Sequence, residues 1–98
     1  QSDMAAQSPG AFGPLGYQRI TSLSSATALT VPTGAVRALV IAETQAVRWR
    51  DDGTNPTSTV GMPLLTNTPY TFERVDVLPS LKFIEQTASA VLHISYYG

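Results

Sequence analysis

Residues 45–53 read QAVRWRDDG. Val47 and Trp49 alternate with Arg48 and Arg50, the period of two expected of a strand with one dry and one wet face. Val47 and Trp49 are therefore assigned to the core. Trp49 would be its largest side chain, with an indole N–H in need of an internal acceptor. Arg48 and Arg50 fall on the opposite face, where they either pair with carboxylates of neighbouring strands (Glu43, Glu73 and Glu85 are in reach) or contact a partner. Asp51, Asp52 and Gly53 then read as a turn, because aspartate accepts hydrogen bonds from nearby backbone amides and glycine supplies positive φ.

The same period extends in both directions. Residues 35–44 (AVRALVIAET) place Val36, Ala38, Val40 and Ala42 on one face, with Arg37, Leu39, Ile41 and Glu43 on the other. The middle of this strand is apolar on both sides, which predicts either a strand covered twice or one face covered by a partner chain. Further strands are expected over 17–23, 26–32, 62–65, 70–75, 81–86 and 90–97, with a turn at 66–69. No window combines helical spacing with helix caps. Seven or eight short strands separated by turn signals predict an all-β chain, a single β-sandwich of jelly-roll or related Greek-key type. One open sheet would leave half of these alternating faces uncovered.

Residues 17–98 form the predicted sandwich domain, and residues 1–16 differ from it. Glycine and proline interrupt this segment at Pro9, Gly10, Gly13, Pro14 and Gly16, so it is expected to form neither helix nor ladder strand. Composition alone would make it a terminal tail. Phe12, Leu15 and Tyr17 are apolar anchors that a tail in solvent does not need, and they predict an extended arm laid on a neighbouring subunit.

Charged residues are 13% of the chain and the formal net charge is −1. That is about half the usual charged fraction, a surface suited to packing against other protein. Nothing in the balance recruits nucleic acid through counterion release. No apolar run approaches the roughly 20 residues of a membrane span, and residues 1–16 lack the basic start and apolar stretch of a signal peptide, so a soluble protein is expected. With no cysteine there is no disulfide and no thiolate chemistry.

His93 shares a strand face with Val91, Ser95 and Tyr97. Without a Gly-x-Ser-x-Gly elbow to expose a nucleophile, it reads as a hydrogen-bonded surface histidine. Asp51 and Asp52, with Asn55, are the candidate cation ligands, but adjacent aspartates on an extended chain point apart and no later bidentate glutamate follows. The turn reading is preferred, no enzyme activity is expected, and no cofactor or metal is called for. A sugar site would need an exposed aromatic platform, for which Tyr70, Tyr96 and Tyr97 are the candidates.

The runs QAVRWRDDGTNPTSTVGMPL (45–64) and LKFIEQTASAVLHISYYG (81–98) resemble a group of short virion structural proteins of tailed bacteriophages. The shared features are the Ala-Val-Arg-Trp-Arg-Asp-Asp-Gly-Thr core, a Pro-Thr pair, a Gly-Met-Pro-Leu segment and a Phe-Ile-Glu run before a final strand ending in aromatics. The resemblance covers roughly residues 17–98. It implies a small β-sandwich acting as a head decoration, or cement, protein on the outer surface of the head. The partners expected of such a protein are the major capsid protein and further copies of itself, three-fold association being favoured over two-fold. No catalytic residue comes with the resemblance. The alternative is a tail or tail-fibre component that binds host glycans.

Overall fold

The computed structural model describes residues 13–73 and 78–98. Within them lie eight strands: β1 (Pro14–Ile20), β2 (Thr27–Ala28), β3 (Arg37–Glu43), β4 (Val47–Arg50), β5 (Met62–Leu64), β6 (Tyr70–Phe72), β7 (Lys82–Glu85) and β8 (Val91–Tyr97). A single 3-10 turn, Leu78–Ser80, precedes β7. The period-two reading holds best in the two longest inner strands. Ala38, Val40 and Ala42 of β3 and Leu92, Ile94 and Tyr96 of β8 are buried, while the residues between them are half-exposed or exposed.

The pairing defines the fold. β1 pairs with β8, β2 with β7, β3 with β6 and β4 with β5, all antiparallel. This is one long hairpin whose tip is the β4–β5 connection. Rolling it up sets β3 beside β8 and β4 beside β7. Two four-stranded sheets result, ordered β1-β8-β3-β6 and β2-β7-β4-β5. The described residues form an eight-stranded jelly roll, the β-sandwich expected from the spacing of the strands.

The core lies between the sheets. Ala38, Val40, Phe72, Leu92, Ile94 and Tyr96 line it from one side, and Val47, Leu64 and Phe83 from the other, with Leu78 and Leu81 entering beside the 3-10 turn. Tyr96 is the largest fully buried side chain, 1% exposed. Its hydroxyl donates to Gln18 Oε1 at 2.7 Å, and burial pushes its pKa up to about 12. A phenol kept dry in this way needs an internal acceptor, and Gln18 on β1 supplies it.

Several expectations require correction. β1 begins at Pro14, so the expected arm of residues 1–16 gives its last three residues to the ladder. Proline is tolerated there because it is the first residue of an edge strand. The strand expected over 26–32 shrinks to Thr27 and Ala28. Beyond them the Gln18 side chain replaces the ladder, its Oε1 accepting from the Thr30 amide at 3.1 Å and its Nε2 donating to Thr30 Oγ1 at 3.4 Å. The strand expected over 70–75 ends at Phe72, and residues 74–75 lie outside the described residues. Phe12 lies outside them as well.

Candidate functional site

Val47 is fully buried, as its alternation predicts. Trp49 is only half-buried and packs against the margin of the core. Its β4 position pairs with Met62 of the edge strand β5, so one flank of the indole meets the open side of the sandwich. Phe72 meets it edge-on with ring centroids 4.9 Å apart, and Tyr70 lies tilted beside it at 5.9 Å. The expected internal acceptor is not found: among the described residues nothing accepts from the indole N–H, which is left open to water.

Arg48 and Arg50 do not pair with Glu43, Glu73 or Glu85. Arg48 donates to the Ser58 carbonyl at 3.2 Å and to the Gly61 carbonyl at 2.8 Å, tying the loop of residues 51–61 back onto its own strand. Arg50 forms a two-pronged pair with Asp52, at 3.1 and 2.5 Å. This hydrogen bond holds the Asp52 carboxyl below its ordinary range and raises the Arg50 guanidinium. Asp52 Oδ1 also accepts from the Thr54 amide at 3.2 Å, and Gly53 has φ +85°. The turn predicted over Asp51–Gly53 is therefore built as expected, with Asp52 as its hydrogen-bonding residue. Asn55 accepts from Lys82 Nζ at 3.1 Å. Asp52 and Asn55 thus each already face a cation of the chain itself, and among the described residues no group of three acidic, histidine or cysteine side chains gathers.

Next to this loop the surface turns apolar. Met62 (56% exposed), Leu65 (61%), Tyr70 (46%) and Val60 belong to β5, β6 and the segments flanking them. Arg50, Asp51, Asp52, Val60, Gly61 and Met62 line an open groove of about 460 Å³. It joins the charged turn to the apolar edge.

A second surface is the outer face of the β1-β8-β3-β6 sheet. Leu39 and Ile41 are half-exposed there, next to Val91 and Tyr97 of β8 and the exposed Tyr17 and Leu15 of β1. No second layer of described residues covers them. His93 stands in the same face between Tyr17 and Glu43. Its Nε2 lies 2.8 Å from Glu43 Oε1 and its Nδ1 2.5 Å from the Tyr17 hydroxyl. A carboxylate only accepts, so Nε2 carries the proton and donates to Glu43, and in that tautomer Nδ1 accepts a hydrogen bond from the Tyr17 hydroxyl. This is the hydrogen-bonded surface histidine expected above. The three residues come from three adjacent strands, a grouping that needs the register and could not be read from spacing. Tyr96 belongs to the core, which removes it from the candidate aromatic platform; Tyr70 and Tyr97 remain at the surface.

Compared with family models, curated proteins and solved structures, the chain matches none of them.

Proposed function

We propose that this chain is a structural subunit of a bacteriophage virion, a decoration protein that sits on the outer surface of the head and contacts the major capsid protein. The observation that carries this reading is the collection of exposed large apolar side chains at the β5–β6 edge, next to a salt-bridged turn. Val60, Met62, Leu65 and Tyr70 lie there on a domain with few charged residues. Large apolar side chains exposed along one edge are surface that a protein partner would cover. A jelly roll with a dry core makes a rigid clamp, and a clamp that binds the assembled shell stabilises it by mass action when present in many copies. The chemistry required is docking alone.

The test is to add the full chain to heads stripped of decoration, then measure occupancy and heat resistance. The parent binds and raises the temperature at which the heads rupture, while Met62→Glu combined with Leu65→Glu abolishes both effects without unfolding the protein. Binding of the double variant at parental occupancy would defeat the reading. The tail reading has one observation in its favour, the half-exposed Trp49 lying beside the exposed Tyr70, their rings tilted and 5.9 Å apart. Trp49 is the one tryptophan in the chain, so its fluorescence would report a bound sugar directly. Titration with host glycans separates the two readings.

A further inference from the structure

The outer face of the β1-β8-β3 strands has a pattern that its own fold does not use. We propose that it pairs with the same face of a second copy of this chain about a two-fold axis lying across the strands, so that the two β3 strands run antiparallel. This inference does not depend on the virion reading.

The argument starts from register. Gln18, Ile94 and Val40 occupy one row across β1, β8 and β3, and all three side chains point inward or are buried. The rows on either side therefore supply the centre of the outer face. On β3 these are Leu39 and Ile41, and on β1 they are Tyr17 and Arg19. Arg37 and Glu43 stand at opposite ends of β3 on this same face. Six residues of strand, roughly 20 Å, keep them apart within one chain. Each is steadied by a neighbour, Arg37 by Glu73 at 3.4 Å and Glu43 by His93 at 2.8 Å.

An isologous contact requires that if residue i meets residue j, then j meets i. A two-fold axis through the Gln18–Ile94–Val40 row satisfies this at every level. It sets Leu39 against the second copy's Ile41, and Arg37 against the second copy's Glu43. It also brings the Tyr17 ring to the second copy's Arg19, a cation over an aromatic face. An axis along the strands would instead set Arg37 near Arg37 and Glu43 near Glu43. Opposite charges at the two ends of one apolar strand face are what a second copy in this orientation recognises. An unrelated partner has no need of that antisymmetry. The face is modest, three seven-residue strands about 23 Å long, so the dissociation constant falls near 10–100 μM rather than in the obligate range. The β5–β6 edge stays free for a different partner.

The test is label-free light scattering of the full chain from about 1 to about 500 μM, a range that spans this dissociation constant. A monomer–dimer equilibrium is expected. Arg37→Glu and Glu43→Arg each place like charges against each other twice and weaken the dimer by at least about tenfold. Their equimolar mixture restores opposite charges at both contacts and recovers the parental affinity as a heterodimer. Arg19→Glu, at a fully surface position, weakens association severalfold while leaving the fold unchanged by circular dichroism. A parent that stays monomeric, a trimer, single reversals that dimerise like the parent, or a mixture no tighter than its components would each overturn the proposal.

Discussion

Two glycines bound the 51–61 loop, and they differ in what they require. Gly53 has φ +85°, but a Cβ there would meet nothing within 4 Å. Gly61 has φ +145°, and a Cβ would lie 3.1 Å from the Arg48 Cβ, 3.2 Å from the Pro56 Cβ and 3.3 Å from the Trp49 carbonyl. Gly53→Ala is expected to cost about 1 kcal/mol for its backbone angle alone. Gly61→Ala adds crowding to strain and is expected to cost about 2–4 kcal/mol. Urea unfolding of the two variants measures the difference, and equal midpoints would contradict it. Tyr96 gives a second residue-scale expectation. Its folded pKa of about 12 exceeds the ordinary value near 10, so the folded state holds the phenolic proton more tightly. The stability this represents is complete below pH 10 and is lost as the pH rises through 12, about 2–3 kcal/mol in all. Tyr96→Phe lacks the bond to Gln18 and is about 1 kcal/mol less stable at neutral pH. It does not share this alkaline loss, so the stability advantage of the parent shrinks and then reverses between pH 10 and 12.

At the scale of elements, the connection between β3 and β4 carries strain. The Gln45 amide donates to the Glu43 carbonyl at 2.9 Å, closing a three-residue turn around Thr44, whose φ is +76°. A β-branched residue is poorly suited to that angle. Thr44→Gly is expected to raise stability by about 0.5–1 kcal/mol, relief of strain outweighing the added freedom of the unfolded chain; a lower melting temperature would show that the turn is not strained. The strands this turn joins were legible in the sequence because both alternate cleanly. Period, however, gives the face a side chain points to and not how deeply that face is covered. Trp49 points inward as its alternation says, but its row ends at the edge strand β5, so the indole is half-open. The expected strand over 26–32 failed for another reason: a side chain from β1 took the Thr30 amide that a neighbouring strand would have bonded. Arg48 went to loop carbonyls instead of carboxylates because its strand turns directly into that loop. Contacts of these kinds depend on tertiary placement, which a local pattern does not contain.

For the whole molecule, the decisive contact joins the two ends of the roll. β1 and β8 pair along their length although most of the chain separates them, and such nonlocal pairing makes jelly rolls slow to fold. The seam continues beyond the regular ladder. The Gly98 amide donates to the Gly13 carbonyl at 3.1 Å, Pro14 lies opposite Tyr97 and Gly16 opposite Tyr96, and the Leu15 side chain lies against Gly34 and Gly98. If the functional domain began at Tyr17, removing residues 1–16 would be no worse than removing residues 1–12. The seam predicts otherwise. Residues 13–16 bring one backbone hydrogen bond to Gly98, the first pairings of β1, and the contact of the Leu15 side chain with Gly34 and Gly98. Together these are worth about 1–2 kcal/mol, after the order lost at a fraying end is set against them. The shorter chain beginning at Tyr17 is therefore expected to unfold at lower urea than the chain beginning at Gly13, with the same slope. Because Tyr97 and Arg37 share a row on the outer face, loosening this end also weakens any pairing of that face with a second copy. Coincident unfolding curves for the two truncations would place the start of the working domain at Tyr17 and make the first turn of the seam dispensable.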